Sequence, residues 1–430
     1  MRVLYVENSY GEMGGSLVSL LQLTRKLVEQ GRSLPSAERI EPCFYFLYPN
    51  LLLDEFRELG EVALERKDYE EYGSLIGLPR ALSVTLGRLP GPARKALGEI
   101  FPLARRVAHH ARRLQADLLH SNSRLGSNEY AILGGLLARI PVVAHERLLY
   151  RVSALTRPFA ASADLVIAIS EAVAESLAAQ GVRTRRLEVV PNGIDTSELS
   201  RYRDRPKDLE APFRVGMVGR ITRWKGQHVF IDAARRVTEQ ITNIEFHLAG
   251  DAPPTDASYL RALMDTVKDV DLEKRVIFHG NVKGIYDFIS KMDVLVHCSV
   301  EPEPLGRVIL EAMALRKPTI ATRGGAVEEI CTNNHDALVV DPGRPDQLAD
   351  AITRLHGEPA AAAALARNAL HTIETRFSLD RAAHRVQTLY EEMALVRRPR
   401  SVLDRVTEFL ASSPFSVRRA KPAQIARKAN

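Results

Sequence analysis

Short, continuous apolar runs alternate with helical patterns along most of this 430-residue chain, and this alternation restricts its fold more than any other feature. The first half contains the runs RVLYV, CFYFLY, DLLH, PVVAH, DLVIAIS and RLEVVP. The second half contains FRVGMVG, IEFHLAG, RVIFHG, DVLVHC, PTIAT and ALVVDP. Buried strands separated by helices are typical of a parallel sheet covered on both faces. We therefore predict an α/β fold with two doubly wound, Rossmann-like parallel-sheet domains in tandem.

The predicted domain boundaries follow the polar parts of the chain. The segment TSELSRYRDRPKDLEAP is charged and has no periodic pattern, so it is predicted to be a linker over residues 196–211. The first domain is then 1–195, with a long helical insertion at about 51–114. The second domain is 212–376.

Composition excludes several classes of protein. Hydrophobic residues make up 45% of the chain and charged residues 26%, as in ordinary globular proteins. No stretch approaches the roughly 18 apolar residues of a membrane span, and the N-terminus lacks the pattern of a signal peptide. Cys43, Cys298 and Cys331 are too widely spaced for a disulfide scaffold or a zinc ribbon. We therefore expect a cytoplasmic protein.

Positive charge is concentrated in two segments. Residues 80–113 and the tail 397–430 each have a net charge of +7, whereas the whole chain has +6. The tail follows a helix that is predicted over residues 377–396 and is expected to cross back to the first domain. Each Lys or Arg near an anionic lipid surface contributes about 1 kcal/mol to binding. We expect these segments to hold the protein peripherally on the inner face of a membrane; the alternative is a solvated helix face and a disordered tail. Nucleic acid is not expected as a partner, because aromatic residues are only 6% of the chain and do not interleave with the charges.

The motif GRITRWKG, from Gly219 to Gly226, places three cations before a predicted helix. Arg220, Arg223 and Lys225 follow the strand RVGMV and precede the helical pattern QHVFIDAARRV. A helix N-terminus is partly positive, so each cation there costs roughly 0.3–1 kcal/mol. The arrangement becomes favourable when an anion binds the cations and the backbone N–H groups together. The motif therefore predicts a phosphate site, and the alternative is a solvated helix start.

Two carboxylates stand eight positions apart in EPEPLGRVILEAMA. Pro304 is predicted near the first turn of a helix through Glu311, which puts Glu303 and Glu311 about two turns, or 11–12 Å, apart. This separation is too large for the acid and base of a glycosidase. Hydrogen bonding to the hydroxyls of a sugar and a ribose fits better, and the alternative is that Glu303 only caps the helix.

Two glycine loops give weaker signals. Gly324 and Gly325 follow the strand PTIAT, and doubly wound sheets bind ligands at the carboxyl ends of their strands. Gly14 and Gly15, in GEMGGS, begin a predicted helix after the first strand. The motif is not G-x-G-x-x-G, so a nicotinamide dinucleotide site is poorly supported.

Together these motifs give the chain a resemblance to a known family. The run from Phe213 to Pro342 resembles the donor-binding domain of the retaining nucleotide-sugar glycosyltransferases of family 4, the glycosyl transferases group 1, which have the GT-B fold. The matching motifs are GR-x4-KG, Glu-x7-Glu, KPTIAT, GGAVEE and ALVVDPG, in the family's order. The first half is similar to the acceptor domain through GGS, ADLVIAISEAVAESLAAQG and VVPNGID. The resemblance covers nearly all of the chain except residues 51–114 and the tail, and it implies two domains that face each other across a cleft.

The resemblance implies roles for individual residues. Arg220 and Lys225 would bind the diphosphate of the sugar donor and stabilise the leaving phosphate, and Glu303 would contact the transferred sugar; these three are the predicted catalytic residues. The predicted donor-binding residues are Gly15, Gly219, Leu305, Gly306, Glu311 and Gly325. The reaction would retain the anomeric configuration by a front-face route. The cations would replace a divalent metal, so no metal and no cofactor besides the nucleoside-diphosphate sugar are expected.

The acceptor side departs from the family pattern. Many relatives have a second histidine two places after that of the DLLH motif, and here this place is taken by Asn122. His120 is predicted to be a hydrogen-bonded histidine of the strand rather than an acid. His145, in AHERL, ends another strand. His120, Asn122 and His145 are the predicted acceptor-side residues.

The sequence therefore predicts a retaining, metal-independent glycosyltransferase that uses a nucleoside-diphosphate sugar, with UDP as the expected nucleotide. Its acceptor would be a saccharide or a lipid-linked saccharide in cell-envelope, lipopolysaccharide, capsule or exopolysaccharide synthesis. One alternative is a catalytically silent binding subunit, against which the intact Arg220, Lys225, Glu303 and Glu311 argue. Another is a sugar-nucleotide epimerase or a phosphorylase of the same fold.

Overall fold

The computed structural model describes residues 1–9, 14–65, 90–203 and 210–395. The chain forms two compact units. The first unit contains the described residues up to Pro191 and those from Ala382 to Leu395, and the second contains the described residues from Asn192 to Arg381. Each unit is built around a parallel sheet, which confirms the predicted α/β class.

The first unit has seven parallel strands in the order β3-β2-β1-β4-β5-β6-β7. These are β1 (Arg2–Glu7), β2 (Glu41–Phe46), β3 (Val62–Leu64), β4 (Leu118–Ser121), β5 (Val142–Glu146), β6 (Leu165–Ala168) and β7 (Leu187–Val189). Its helices are α1 (Gly15–Gly31), α2 (Leu53–Arg57), α3 (Gly91–Lys95), α4 (Phe101–Arg113), α5 (Glu129–Ala138), α6 (Arg157–Ser162) and α7 (Glu171–Ala179). A π-helical turn, Ala96–Ile100, joins α3 to α4.

The second unit has six parallel strands in the order β10-β9-β8-β11-β12-β13. These are β8 (Phe213–Val218), β9 (Ile244–Ala249), β10 (Val276–Phe278), β11 (Val294–His297), β12 (Thr319–Thr322) and β13 (Leu338–Val340). Its helices are α8 (Thr196–Arg203), α9 (Gln227–Thr238), α10 (Ala257–Asp269), α11 (Ile285–Ser290), α12 (Arg307–Ala314), α13 (Val327–Ile330), α14 (Pro345–Gly357) and α15 (Pro359–Arg376).

In both sheets the strand order reverses direction at one place. Successive strands run to one side of β1 and then continue from β4 on its other side, and the second sheet does the same at β8 and β11. These two places are the topological switch points, where open α/β sheets form a crevice at the carboxyl ends of the strands.

Part of the predicted helical insertion at 51–114 is a strand. Val62–Leu64 form β3, which pairs in parallel with Phe44–Phe46 of β2 at the edge of the first sheet. Three residues are too few to show either an apolar run or an alternation, which is why the sequence did not reveal this strand. Leu103 and Val107 of α4 join the same apolar core as Leu119 of β4. The described residues of this segment therefore belong to the sheet and its covering layer; residues 66–89 lie outside the described part of the chain.

Part of the predicted linker at 196–211 is a helix. α8 begins at Thr196 because the carboxylate of Asp195 accepts hydrogen bonds from the amides of Ser197 and Glu198. Leu199 is buried on its inner face. Because Leu199 is the one buried apolar residue of this helix, the sequence has no helical hydrophobic periodicity here and resembles a loop.

The C-terminal helix, α16 (Leu379–Leu395), packs into the first unit from Ala382 onward. Val386 and Leu389 lie in the apolar core that includes Val3 and Tyr5 of β1. The basic tail at 397–430 lies outside the described residues.

Candidate functional site

The carboxyl end of β8 continues into the predicted phosphate motif. Gly219 follows the strand, Arg220 is exposed, and Arg223–Lys225 form a 3₁₀ turn. α9 begins directly after this turn, with Gly226 as its N-cap at φ 76°. A Cβ atom on Gly226 would lie 2.0 Å from the carbonyl oxygen of Cys298. Glycine therefore allows this turn to contact the chain that follows β11.

Glu303 is the centre of a buried polar cluster in the second unit. Its Oε2 atom lies 2.7 Å from Lys225 Nζ, 2.9 Å from His297 Nε2 and 2.9 Å from Ser299 Oγ. The Glu303 side chain is 9% exposed and the Lys225 side chain 17%. Because an ionised carboxylate only accepts hydrogen bonds, all three neighbours donate to it, and His297 carries its hydrogen on Nε2.

The surroundings of Glu303 keep its carboxyl group ionised. Burial would raise the pKa of Glu303, but the hydrogen bond from His297 and the charge of Lys225 outweigh burial and hold this pKa well below its ordinary value. The cluster therefore presents an ionised carboxylate and an ammonium group side by side at the switch point of the second sheet.

The loop after β12 fixes the main chain at Glu303. The amide of Ala326 donates to the Glu303 carbonyl at 2.9 Å, and Glu303 and Gly325 form an isolated parallel bridge. Gly325 has φ 64°, and a Cβ atom on it would lie 2.1 Å from the Glu303 carbonyl oxygen. A glycine predicted to bind the sugar donor therefore also sets the position of the predicted catalytic carboxylate.

α12 begins later than the sequence analysis predicted. Its N-cap is Gly306, in the left-handed conformation, and Arg307 is its first residue. Pro304 therefore precedes the helix, so the predicted helix start was wrong, and Glu303 does not cap it, which excludes the alternative interpretation of this carboxylate. The main-chain bonds of Glu303 to the loop after β12 hold this segment extended until Gly306 turns it into the helix.

Glu311 lies one turn inside α12. It is buried and accepts a hydrogen bond from Arg307 Nε at 2.7 Å. Burial would lower the pKa of Arg307, but the neighbouring Glu311 carboxylate raises it overall. Leu305 is also buried, next to the N-cap. Glu303 and Glu311 therefore have different cationic partners, Lys225 and Arg307.

Three buried polar atoms around the cluster have no hydrogen-bond partner among the described residues. They are Thr222 Oγ1, Gln227 Oε1 and His297 Nδ1. Gln227 is held in place because its Nε2 atom donates to the Arg220 carbonyl at 2.9 Å. Buried polar groups are normally hydrogen bonded, so these atoms are candidate contacts for a polar ligand.

The predicted acceptor-side residues lie close together in the first unit. His120 and His145, on β4 and β5, have ring centroids 5.3 Å apart, and Asn122 directly follows β4. His120 Nδ1 lies 2.6 Å from the hydroxyl of Tyr390 on α16. Burial lowers the pKa of His120 to about 3 and holds that of His145 well below its usual value. Both imidazoles are therefore neutral at pH 7.

Asn122 joins two charged side chains inside the first unit. Its Oδ1 atom accepts from Arg147 Nε at 2.7 Å, and its Nδ2 group donates to the carboxylate of Glu7. Arg147 also lies 3.2 Å from His145 Nδ1. The side chains of this network, Glu7, Asn122, His145 and Arg147, are each less than 5% exposed. The predicted acceptor-side residues therefore belong to a buried polar network.

Gly15, one of the predicted donor-binding residues, is the first residue of α1. Gly14 is the N-cap, with extended backbone and no capping side chain. Gly15 belongs to the first unit, whereas Lys225, Glu303 and Gly325 belong to the second. The structure brings together the residues within each unit, and the site assignments as a whole remain predictions.

Sequence reasoning missed several polar residues of both units. His297 and Ser299 end or follow β11, Glu7 ends β1, and Glu146 and Arg147 end or follow β5. The available signal was a polar residue at the carboxyl end of an otherwise apolar strand, which is where doubly wound sheets hold ligands.

Among the described residues, no helix has the length and apolarity needed to cross a membrane. Within the same residues, His, Cys, Asp and Glu side chains form no group of three that could hold a metal ion.

Two family models match the chain. Residues 212–358 match the model described as Glycosyl transferases group 1, and residues 62–198 match the model described as Glycosyltransferase Family 4. Together they span about two thirds of the chain. Because the second match begins at 62, much of the segment at 51–114, which the resemblance left out, belongs to the family region.

Several curated proteins and solved structures are similar to the chain. The lipopolysaccharide core biosynthesis glycosyltransferase LpsD of Rhizobium meliloti is 35% identical over 201 residues, which cover 45% of this chain and 54% of LpsD. The lipopolysaccharide core biosynthesis mannosyltransferase LpcC of Rhizobium leguminosarum is 26% identical over 70% of this chain and 83% of its own length. The chain spans about half the length of the first curated relatives it matches.

The crystal structure of Anabaena Alr3699/HepE with UDP has a TM-score of 0.72 and 24% identity, and the likeness covers 91% of this chain and 100% of that one. This likeness extends over both parallel sheets. With the two family models matched in order along the sequence, the chain belongs to the group 1 glycosyltransferases, with a family 4 amino-terminal region and the GT-B fold.

Proposed function

We propose that this protein transfers a sugar from a nucleoside-diphosphate sugar, with UDP as the nucleotide, to a saccharide or lipid-linked saccharide. The observation that carries the proposal is the cluster of Lys225, Glu303, His297 and Ser299 at the switch point of the second sheet. The cluster combines a cation that can bind the leaving diphosphate with an ionised carboxylate that can accept a hydrogen bond from a sugar hydroxyl.

The leaving group of such a donor is a diphosphate that gains negative charge as the sugar departs. Fixed cations and N–H dipoles that bind this charge more strongly in the transition state accelerate the reaction. Lys225 and Arg220 supply the cations, and α9 directs its positive end to the same place. Because these cations balance the charge, the proposal includes no divalent metal.

Glu311 and Glu303 suit the hydroxyl groups of the donor. Glu311, oriented by its ion pair with Arg307, would accept from the ribose, and Glu303 would accept from the transferred sugar. Thr222 Oγ1 and Gln227 Oε1, buried and without a partner among the described residues, provide further polar contacts beside the same loop. Their places, in the loop after β8 and at the first residue of α9, support a polar ligand there.

We further propose that the anomeric configuration is retained. The bond from the anomeric carbon to the phosphate oxygen breaks as the bond to the acceptor oxygen forms on the same face. The departing phosphate takes the proton of the acceptor hydroxyl. The buried histidines His120 and His145 are neutral, so neither acts as the proton donor at neutral pH.

Similar proteins favour UDP and an envelope saccharide. Anabaena Alr3699/HepE has been solved with UDP and with UDP-glucose. LpsD and LpcC are named for lipopolysaccharide core biosynthesis. These names support UDP as the nucleotide and a saccharide of the cell envelope as the acceptor.

We propose peripheral contact with an anionic membrane through the segments 80–113 and 397–430. Within the described part, Phe101, Arg105, His109 and Arg112 are exposed at spacings that place them on one face of α4. Phe101 is 48% exposed. A helix face that combines an exposed aromatic ring with cations is suited to an anionic lipid surface.

Vesicle sedimentation tests this contact. Deletion of the residues after Val396, or the double variant Arg105→Gln/Arg112→Gln, is expected to weaken binding to phosphatidylglycerol vesicles at low salt. Phosphatidylcholine vesicles are the control. Unchanged binding to phosphatidylglycerol by both variants would contradict the membrane role.

A thermal-shift panel with UDP, GDP, ADP, CMP and NAD tests the donor. A ligand at 100 times its dissociation constant adds about 2.7 kcal/mol to stability, which raises the melting temperature visibly. We expect a rise with UDP that is absent in Arg220→Ala/Lys225→Ala. No rise with any nucleotide would contradict the proposed donor site and favour a silent subunit.

A further inference from the structure

A pocket of about 640 Å³ lies at the amino edge of the second sheet, at the opposite end of the strands from the proposed donor site. Four neighbouring strands begin beside it, since Phe213 and Val294 are the first residues of β8 and β11, and Asn243 and Pro318 directly precede β9 and β12. The six residues of β8 place about 20 Å of strand between this pocket and Gly219 of the phosphate motif. The volume is within the range of small-molecule pockets, so a ligand here would be separate from the sugar donor.

Cations outnumber carboxylates among the described side chains that line this pocket. Arg203, Arg316 and Lys317 stand against Asp293. The Asp293 carboxylate is already engaged, because its Oδ2 atom accepts from the Arg214 amide at 2.8 Å. The first turn of the 18-residue helix α15 also lines the pocket, and the amino end of a helix is partly positive. The pocket is therefore suited to an anion.

Arg203 is held in place by neutral groups. Its Nε atom donates to the Ala314 carbonyl at 2.8 Å, and its Nη2 atom donates to the Thr196 carbonyl at 2.9 Å. Carbonyl groups orient a guanidinium group without neutralising its charge. Among the described residues, no carboxylate pairs with Arg203, so its fixed positive charge is available to a ligand of the pocket.

Arg316 is the most accessible of the three cations. Its side chain is exposed, and its guanidinium group forms no hydrogen bond or ion pair with the described part of the chain. Its backbone has φ 57° and directly follows the C-cap of α12, a position at which glycine is common. The helix end therefore does not require an arginine there, and the side chain is left to contact a ligand.

The remaining wall of the pocket is largely apolar. Phe213, Met292, Leu355 and Ala366 line it. The Phe213 ring packs edge to face with His356, with ring centroids 5.0 Å apart. A ligand that fills the pocket must therefore combine an anionic group with an apolar body.

We propose that this pocket binds a phosphate monoester with an apolar body. Arg203 and Arg316 contact the phosphate, and Phe213, Met292 and Leu355 contact the body. A phosphate monoester carries a charge of about −1.5 to −2 at pH 7, which several cations match better than they match a carboxylate, and guanidinium groups bind phosphate oxygens in pairs. The inference goes beyond the proposed function and does not depend on it, because these residues lie outside the donor motifs.

Calorimetric titration of the full chain with 1-naphthyl phosphate and with decyl phosphate, below its micelle-forming concentration, tests this proposal. Excess UDP is present so that the proposed donor site is occupied. We expect at least one of the two phosphates to bind, and their comparison distinguishes an aromatic metabolite from a lipid-derived phosphate. Decanol, 1-naphthol and inorganic phosphate each lack one half of the ligand, so each is expected to bind at least tenfold more weakly.

Arg316→Gly separates binding from folding. It is expected to weaken binding of the phosphate at least about fivefold, whereas the melting temperature stays the same or rises, because glycine adopts positive φ without strain. Arg139→Gly is the matched control, since Arg139 is also exposed and has φ 63°, at the end of α5 in the first unit. It is expected to bind the phosphate as the wild type does.

A second variant blocks the pocket without removing a charge. Ala363 is exposed on α15 and lines the pocket, so Ala363→Trp is expected to abolish binding. Undiminished binding in both Arg316→Gly and Ala363→Trp, or no binding of either phosphate to the wild type, would overturn the proposal.

The other outcomes concern the class of ligand and the place where it binds. Equally tight binding of 1-naphthol would overturn the anionic class, and equally tight binding of inorganic phosphate would overturn the apolar body. Binding that is lost in Lys225→Ala would place the probe at the proposed donor site and also overturn the inference. A missing response to UDP would contradict the proposed function and leave this inference standing.

Discussion

The switch points of the two sheets have the same topology but different electrostatics. At β8/β11, Lys225 follows Arg220 and Arg223 at the start of a helix, and Glu303 is held ionised beside it. At β1/β4, the described side chains that line the crevice include as many cations as carboxylates, and the nearby His120 and His145 are held neutral by burial. Topology therefore places both sets of polar side chains at the carboxyl ends of strands, and under the proposed function the excess of cations at β8/β11 assigns the diphosphate to the second sheet.

The largest expected effect breaks the cationic side of this comparison. Lys225→Ala removes the ammonium that would bind the leaving phosphate, so turnover should fall by about a hundredfold or more. Steady-state release of UDP from the UDP-sugar measures it. Lys291→Ala is the control, since Lys291 also pairs with an acid, Asp287, but on the surface. Near-normal turnover in Lys225→Ala, with the fold intact, would refute the phosphate assignment.

A smaller effect concerns the ionised state of Glu303. His297→Leu removes the hydrogen bond that does most to lower the pKa of Glu303, so this pKa should rise. A carboxyl group with a lowered pKa stabilises the folded state above its unfolded pKa, near 4.3, and loses this contribution as the pH falls. The variant should therefore be less stable than the wild type near pH 7, by about 1.4 kcal/mol for each unit by which the pKa rises. The difference should shrink only as the pH falls through the pKa of Glu303 in the variant toward the lower pKa in the wild type.

Urea unfolding at several pH values measures this difference. His371→Leu, which replaces an exposed histidine, should show no such pH-dependent loss. A pH-independent loss in His297→Leu would mean that the histidine only fills space.

A third effect concerns the buried carboxyl group of Glu146, which supports the loop after β4. Burial raises the pKa of Glu146 to about 7, although Leu125 and Tyr150 donate to its carboxyl group. The folded state therefore binds a proton more tightly than the unfolded state, and stability falls as the pH rises from about 4.3 to 7. Glu146→Gln should flatten this part of the pH–stability curve. An unchanged slope between pH 5 and pH 8 would show that Glu146 does not titrate there.

The sequence was sufficient for the fold and for selecting Lys225 and Glu303, which the structure brings into contact. Long apolar strands and ordered motifs predicted two parallel sheets, and Lys225 and Glu303 lie together because β8 and β11 are neighbours in the second sheet. It was insufficient where a few tertiary contacts decide local structure. The three-residue β3 depends on its pairing with β2, and the start of α12 depends on main-chain bonds between Glu303 and the loop after β12.

The polar partners of the site residues were also beyond the sequence. Asn122 was recognised as a departure from the family, but its partners are distant in the chain: Glu7 ends β1 and Arg147 follows β5. His297 is six positions before Glu303, and its role becomes visible only when the two side chains meet. Spacing shows where strands end, but not which side chains share a hydrogen bond there.

Calorimetric titration of UDP and of uridine into the wild type and Lys225→Ala is the most direct test of the proposed diphosphate site. Lys225→Ala is expected to weaken UDP binding at least tenfold and to leave uridine binding unchanged, because the ammonium would contact only the diphosphate. Equal affinity of the two proteins for UDP would contradict the placement of the diphosphate at the β8/β11 switch point.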